Sequence, residues 1–334
     1  MKIKNLVENE NYIIYNSDCM EVMPELPDNS IDLSIYSPPF NSLYVYSSDV
    51  RDLSNSNSME EFLQHYEFIV KEMARVTKPG RINAIHCMDI LQNMTHLLDF
   101  PHEIIKIHEK YGFIYRNRIT IWKEPLKVRI KTMVQSLMHK FIMEDSTKCF
   151  TAMPDYILVF VKKGENQVPV THPFGIEEYA GEMPILPFML KQYNSNHNTN
   201  FTAEELWEYL QKQNKPDEVT KLNHYIWQRY ASAVWDDIRA GNLLPFKESK
   251  EEDDEKHITP TQLDVIDRLV ELYSNPNEVV LTPFMGVGSE VYSAVKKGRK
   301  AIGIELKDSY FKQAILNLKD IKKIENKSVQ ESLF

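Results

Sequence analysis

The sequence predicts an α/β fold in which helices cover both faces of a mostly parallel sheet of seven strands. Short apolar runs bounded by turn residues have the pattern of buried strands, and helical repeats lie between many of them. This alternation is typical of parallel sheets, because each strand needs a crossover before the chain can run in the same direction again. The predicted strands cover residues 12–15, 31–36, 82–87, 113–122, 156–161, 279–282 and 300–304.

Helix boundaries are readable at several places. The clearest helix begins after Ser58, because Ser58 and Glu61 have the spacing of a capping box. Apolar residues then recur at helical spacing, and Lys78-Pro79-Gly80 is expected to end the helix. Further helices are predicted near residues 102–110 and over residues 289–297, each followed by a glycine.

Residues 164–256 interrupt this alternation with several prolines and an asparagine-rich stretch. Two helices are predicted inside this segment, over 203–212 and 219–234. The segment ends at 248–256, where six of nine residues are acidic. We therefore expect two halves of one sheet domain, 1–163 and 257–334, separated by a substrate-selecting insert with an exposed acidic hinge over 164–256. An ordinary helical subdomain is the alternative for the insert.

Composition restricts the class of protein. The three cysteines, Cys19, Cys87 and Cys149, lie far apart without a CxxC pair, which excludes a disulfide framework and a cysteine zinc site, and no metal site is expected. The first residues lack the apolar core of a signal peptide and no run is long enough to span a bilayer, so we expect a cytoplasmic protein without a membrane partner. Taken alone, the net charge of −9 argues against a nucleic-acid partner.

A nucleoside-binding unit is predicted near the C-terminus, where a strand leads into a glycine turn and a helix. Gly286 and Gly288 allow the backbone to approach a ligand, and the helix start offers unpaired N–H groups. The next strand ends at Glu305, 19 positions after Gly286, near the spacing at which an acid binds ribose hydroxyls. Val291 replaces the third glycine of a dinucleotide fingerprint. A plain structural turn is the alternative, but the complete unit favours a nucleoside ligand.

A second ligand-binding turn is predicted directly after the strand at 31–36, in Ser37-Pro38-Pro39-Phe40. The prolines leave carbonyls without a local N–H partner, the serine hydroxyl can accept a hydrogen bond from an exocyclic amino group, and the aromatic ring can stack on a planar ring. A rigid surface turn is the alternative; the position at the end of a parallel strand favours a site. Asp18, at another strand end, could cap a helix or accept a hydrogen bond from an adenine amino group.

These motifs resemble those of S-adenosylmethionine-dependent DNA amino-methyltransferases, and their order resembles the circularly permuted β group. The resemblance covers most of the chain. SPPF matches the catalytic motif, and FMGVG matches the cofactor loop. Ser17-Asp18-Cys19 matches the acid motif on the adenine side. Further motifs of the family match, in order, residues 27–33, 121–123, 154–160, 235–238 and 257–263. Two positions depart from the family pattern. Thr282 replaces a common acid, and the stretch at Gln262 lacks a Lys-Pro continuation.

The resemblance implies a Rossmann-like class I methyltransferase fold that is circularly permuted and binds S-adenosylmethionine. It implies a catalytic half (1–163), a target-recognition insert with its hinge (164–256) and a cofactor half (257–334). The implied catalytic residues are Ser37, Pro38, Pro39 and Phe40, and the implied cofactor-binding residues are Asp18, Cys19, Thr259, Thr282, Phe284, Gly286, Gly288 and Glu305. An aromatic residue after SPP is more typical of N4-cytosine enzymes, so cytosine N4 is favoured and adenine N6 stays open. Cys87 and His86 are interpreted as structural.

Double-stranded DNA is the implied partner, and the implied setting is restriction and modification in a bacterial or phage-type cytoplasm. A flipped target base would stack on Phe40. An acidic protein needs a local basic surface for this, and the candidates in the basic stretch 116–140 are Arg116, Arg118, Lys123, Lys127, Arg129 and Lys131. A solvated face is the alternative for this stretch. A homodimer and a cognate endonuclease stay open, as do a catalytically retired nucleic-acid-binding protein and methylation of RNA or a protein amide.

Overall fold

The computed structural model describes residues 3–39, 56, 58–92, 96–132, 134–215, 217–249 and 259–331. Its strands, in chain order, are β1 Asn5–Glu8, β2 Tyr12–Asn16, β3 Ile31–Tyr36, β4 Thr77–Cys87, β5 Ile90–Gln92, β6 His96–Leu98, β7 Phe113–Ile121, β8 Asp155–Lys162, β9 Val234–Trp235, β10 Val279–Thr282 and β11 Lys300–Glu305. Nine of them form one sheet in the order β1-β2-β11-β10-β3-β4-β8-β7-β9, and β5 pairs with β6 in a separate hairpin.

The mostly parallel α/β sheet is confirmed. All seven predicted strands belong to it, and β1 and β9 extend it at its two edges. Five neighbouring strands pair in parallel, in the order β2, β11, β10, β3 and β4. Strand β8 runs antiparallel to both of its neighbours, β4 and β7. Strand order reverses between β10 and β3, and this is the position at which open α/β sheets have a crevice at their carboxyl ends.

Helices cover both faces of the sheet. In chain order, the α-helices of the described residues are α1 Cys19–Val22, α2 Met59–Val76, α3 Phe100–Lys110, α4 Pro125–Thr132, α5 His139–Glu144, α6 Pro187–His197, α7 Ala203–Lys212, α8 Lys221–Tyr230, α9 Leu263–Tyr273, α10 Ser289–Lys296 and α11 Asp308–Glu331. Helices α9, α10 and α11 pack on one face, and α1, α2 and α3 pack on the other. The alternation of side chains along each strand therefore supplies two separate apolar cores.

The predicted start of α2 is confirmed, and the helix ends at Val76, just before the stretch predicted to stop it. Ser58 Oγ accepts a hydrogen bond from the backbone N–H of Glu61 at 3.1 Å. Lys78-Pro79-Gly80 does not follow the helix as a turn; it lies within β4, because Thr77 already pairs with Ile31 in the sheet. Gly80 accommodates this course with a φ of +74°.

The helix predicted over 219–234 is also shorter than expected. Helix α8 ends at Tyr230, and Val234–Trp235 forms β9 instead. The backbone N–H of Trp122 donates to the carbonyl of Trp235 at 3.0 Å, so sheet pairing competes with helix continuation here. The indole of Trp235 is fully buried.

The insert has an apolar core of its own, yet it is fixed to the sheet domain by a buried cation. Helices α6, α7 and α8 surround that core. Arg268, in α9, is fully buried; its Nε donates to the carbonyl of Ala180 at 2.6 Å and its Nη2 to Asp237 at 2.8 Å. The rings of Tyr179, Tyr230 and Trp235 lie about 5 Å from the guanidinium. Most of the predicted acidic hinge lies outside the described residues.

A buried histidine predicts how stability depends on pH. His108 donates from Nδ1 to the carbonyl of Ile104 at 2.8 Å, and burial lowers the pKa of His108 to about 4. The unfolded chain binds this proton near the ordinary pKa of about 6.5. The contribution of His108 to the free energy of unfolding is therefore complete above pH 6.5 and is lost as the pH falls toward 4. Between pH 7 and pH 4, we expect the free energy of unfolding of wild type to fall by up to about 3 kcal/mol more than that of His108→Gln.

Urea unfolding of both proteins across this pH range measures the difference. Acidic groups common to the two proteins cancel in the comparison. Parallel pH dependences would contradict the lowered pKa of His108, because they would show that the folded and unfolded chains bind this proton equally well.

Candidate active site

One cavity of about 640 Å³ opens at the carboxyl ends of the central strands. This volume is in the range of small-molecule sites. Nine of the residues predicted from the sequence line it together: Asp18, Cys19, Ser37, Pro38, Pro39, Thr259, Phe284, Gly286 and Glu305. The two predicted turns therefore face one space, although they lie far apart in the chain.

The glycine turn is held by the acid at the end of the next strand. The backbone N–H of Gly286 donates to Glu305 Oε2 at 2.8 Å, and that of Lys307 donates to Oε1 at 2.8 Å. Each carboxylate oxygen is thus oriented by a backbone N–H group. Gly286 has a φ of +55° with open space where a Cβ would stand, so it is the backbone conformation that favours glycine here.

Two predicted cofactor residues do not line the cavity. Thr282 is 1% exposed, within β10 below the turn. Gly288, with a φ of +92°, precedes α10, and a Cβ there would lie 3.2 Å from that of Ala314. Gly288 therefore permits close packing of α10 against α11, whereas Gly286 faces the cavity.

Asp18 and Cys19 follow β2, which pairs in parallel with the strand that ends at Glu305. Asp18 caps α1, because its Oδ1 accepts from the backbone N–H of Met20 at 2.9 Å, as the capping alternative predicted. Asp18 also lines the cavity. Burial raises the pKa of the Cys19 thiol, so this side chain is a neutral part of the wall.

Glu290 is a cavity residue that the sequence analysis missed. It lies in the first turn of α10 and is 6% exposed. Burial, together with the nearby carboxylate of Glu305, raises the pKa of Glu290 to about 8. Its position directly after the glycine turn was the available signal.

The Ser37 hydroxyl has a fixed direction. Its Oγ donates to the backbone carbonyl of His86, at the end of β4, over 3.1 Å. The hydroxyl hydrogen is therefore engaged, and the oxygen lone pairs remain to accept a hydrogen bond. Pro38 and Pro39 line the cavity beside it, and Phe40 lies outside the described residues.

His86 connects this turn to three other segments. Its Nδ1 lies 3.3 Å from Thr261 Oγ1, and its Nε2 lies 3.0 Å from Asp155 Oδ2. Asp155 also pairs with the ammonium group of Lys123. Burial would raise the pKa of Asp155, but Lys123 and His86 oppose this and hold it below its ordinary value. His86 and Thr261 both line the cavity, so the structural interpretation of His86 was incomplete.

The basic stretch does not form one continuous surface. Arg116 is exposed, but it lies in β7 five residues before the end of the strand. At about 3.3 Å per residue, this places it roughly 16 Å from that end. The Arg118 guanidinium lies 4.9 Å from the Tyr156 ring, and Lys123 binds Asp155. Helix α4 carries the other three: Lys127, which is exposed, Arg129, which is half-buried, and Lys131, whose side chain is outside the described residues.

Two further observations concern metals and membranes. Within the described ranges, no group of three or more His, Cys, Asp or Glu side chains could hold a metal ion. No helix in that part of the chain is long and apolar enough to cross a membrane.

Known proteins resemble this chain along most of its length. Residues 31–316 match the model of a DNA methylase family, the N6/N4 type. The Type II methyltransferase M.BglII of Bacillus subtilis is 24% identical, with 89% of this chain and 66% of that protein aligned. M.BamHI of Bacillus amyloliquefaciens is 25% identical over 95% of this chain and 60% of its own length. The chain thus spans two thirds or less of these relatives.

Solved structures agree on the fold. A Thermus thermophilus protein described as a DNA modification methylase, complexed with S-adenosyl-L-methionine, has a TM-score of 0.56 at 19% identity, covering 93% of this chain and 95% of that one. The cytosine-N4-specific PvuII DNA methyltransferase has a TM-score of 0.57 at 12% identity, covering 97% and 95%.

The pairing of Lys123 predicts a difference between two lysines of the basic stretch. Lys123→Ala leaves the buried Asp155 carboxylate without its ammonium partner, and we expect a loss of about 1–3 kcal/mol in the free energy of unfolding. Lys127→Ala, on the exposed side of α4, should change it by less than about 0.5 kcal/mol. Urea unfolding at pH 7 measures both, and equal losses would contradict the structural role of Lys123.

Proposed function

Since the chain belongs to the DNA methylase family, we propose that it is an enzyme that methylates an exocyclic amino group of a base in double-stranded DNA, with S-adenosylmethionine as the methyl donor and cytosine N4 as the favoured target. One observation carries this proposal. The glycine turn with Glu305 and the turn Ser37-Pro38-Pro39 line the same cavity. A nucleoside cofactor and a base can therefore meet within it.

The cofactor side fits S-adenosylmethionine. The Glu305 carboxylate, oriented by two backbone N–H groups, would accept hydrogen bonds from the ribose hydroxyls. Phe284, packed edge-on against Tyr36 at a centroid distance of 5.8 Å, offers an apolar wall. Asp18 stands at the adenine side, as the family resemblance implies, with lone pairs left beyond its capping bond.

The base side uses the fixed direction of the Ser37 hydroxyl. An amino group of the base would donate one hydrogen bond to Ser37 Oγ and another to the Pro38 carbonyl. These bonds favour a tetrahedral nitrogen and localise the lone pair that the ring otherwise delocalises. The bound cofactor supplies an activated sulfonium methyl group, and the contribution of the protein is mainly to orient the amine toward it.

A thiol nucleophile has no part in this mechanism. Cys87 is fully buried, and burial raises its pKa well above the ordinary value, so a thiolate is strongly disfavoured. The amine nitrogen would attack the methyl carbon directly while the bond from that carbon to sulfur breaks and the neutral thioether leaves. The methylated amine would then release one proton to water, and no covalent bond to the protein forms. The base would leave the duplex to reach the cavity.

The identity of the product base tests the target. Duplex DNA is methylated by the purified protein and digested to nucleosides, and we expect N4-methylcytosine. N6-methyladenine would identify the alternative within the same family. Methyl transfer to RNA or protein in place of DNA would contradict the proposed substrate.

Ser37→Ala tests the site. Losing the hydroxyl removes one acceptor for the amine, and we expect the single-turnover rate of methyl transfer to fall about 10- to 100-fold. The dissociation constant of S-adenosylmethionine should change by less than about threefold, because Ser37 faces the base. Ser146→Ala, on an exposed segment outside the cavity, is the matched control. Wild-type rates in Ser37→Ala would sink this assignment.

Glu305→Gln tests the cofactor side. The amide places an N–H donor against the backbone N–H of either Gly286 or Lys307, so the turn loses one bond and the ribose hydroxyls lose an acceptor. We expect the dissociation constant of S-adenosylmethionine to rise by about 10-fold or more, measured by calorimetry. The control is Glu208→Gln, whose side chain is 69% exposed on α7. Unchanged affinity would show that the ribose binds elsewhere.

A further inference from the structure

We propose that His86 is a positioning residue for methyl transfer, which holds the base-binding turn and the segment before α9 at a fixed separation across the cavity. This inference rests on the proposed function and deepens it. The residue acts at two points at once. Its backbone carbonyl accepts from Ser37 Oγ at 3.1 Å, and its ring contacts Thr261 and Asp155.

The orientation of the ring follows from its neighbours. The Asp155 carboxylate is 5% exposed, and its Oδ2 lies 3.0 Å from His86 Nε2. This is a charge contact, because the geometry at Nε2 is not that of a hydrogen bond. The ammonium group of Lys123 balances the carboxylate on its other oxygen. Nδ1 is within hydrogen-bond distance of the Thr261 hydroxyl, 3.3 Å away. Each ring nitrogen therefore faces a neighbour from a different segment of the chain.

The contacts join parts of the cavity that the chain order separates. Asp155 begins β8 and His86 is the last residue but one of β4, and these strands pair antiparallel beside the catalytic turn. Thr261 belongs to residues 259–261, which line the cavity and lead into α9. A ring that binds both sides sets the distance between the wall that carries Ser37 and the wall that carries Thr259.

Loss of the ring should therefore reduce the rate more than the binding of cofactor. A displacement of about 1 Å at the reacting groups can cost about 100-fold in rate, whereas ligand affinity tolerates it better. We expect His86→Ala to lower the single-turnover rate about 10- to 100-fold at saturating DNA and S-adenosylmethionine. The dissociation constant of S-adenosylmethionine should change by less than about threefold.

Conservative variants separate positioning from folding. The side-chain amide of His86→Gln places a donor near the former Nε2, which keeps the contact with Asp155, and should recover most of the rate. Thr261→Val removes only the hydroxyl. We expect the double variant His86→Ala with Thr261→Val to be no slower than His86→Ala alone, because the two residues act as a unit. His102→Ala, exposed on α3, is the matched control.

The outcomes are distinct. A His86→Ala protein that methylates within threefold of the wild-type rate overturns the positioning role. The role is also overturned if the rate loss of the double variant equals the product of the losses in the two single variants. If His86→Ala does not fold, Thr261→Val carries the test: it should lose rate at unchanged cofactor affinity, and a wild-type rate would refute the inference. Should wild type transfer no methyl group to DNA, the proposed function itself fails, and the inference falls with it.

Discussion

The pairing of β10 with β3 is the constraint on which the rest of the structure depends. Val280 lies opposite Leu33 and Leu281 opposite Ser34, so the strand before the glycine turn runs parallel to the strand before Ser37. Strand order reverses at this pair, and helices depart to opposite faces on its two sides. The carboxyl ends therefore diverge and leave a crevice. Chain order can be permuted around this pair without altering the site, because the site depends on adjacency in space.

The fold was readable from the sequence where local pattern and tertiary environment agree. The buried strands and the capped start of α2 are such cases, and so is the acid at Glu305, because strand, turn and acid are close in sequence. The early start of β4 at Thr77 and the strand β9 were not readable, because pairing with β3 and β7 outweighs the local turn and helix signals there. The His86, Asp155 and Lys123 cluster was missed for a similar reason. His86 and Asp155 lie in β4 and β8, Lys123 follows β7, and these segments become neighbours only through the sheet.

Charge on this protein is organised locally, and the net value of −9 describes none of its parts. Arg268 is fully buried among three aromatic rings and binds Asp237, where the insert joins the sheet domain. Lys123, one of the basic residues predicted to contact DNA, pairs with the buried carboxylate of Asp155. The basic stretch therefore includes a lysine with a structural partner, whereas Lys127 is exposed on α4, beyond the end of β7. Contact of these residues with DNA stays a prediction.

The replacement of the usual acid by Thr282 is consistent with the carboxylates already present in the cavity. Glu290 and Glu305 both line it, and Glu305 contributes to the raised pKa of Glu290. Thr282 lies opposite Gly303 in β11, two residues before Glu305, and is itself buried. A carboxylate at that position would have to ionise in a buried environment, which is costly. A neutral hydroxyl avoids this cost, while the Glu305 carboxylate is held by the backbone N–H groups of Gly286 and Lys307.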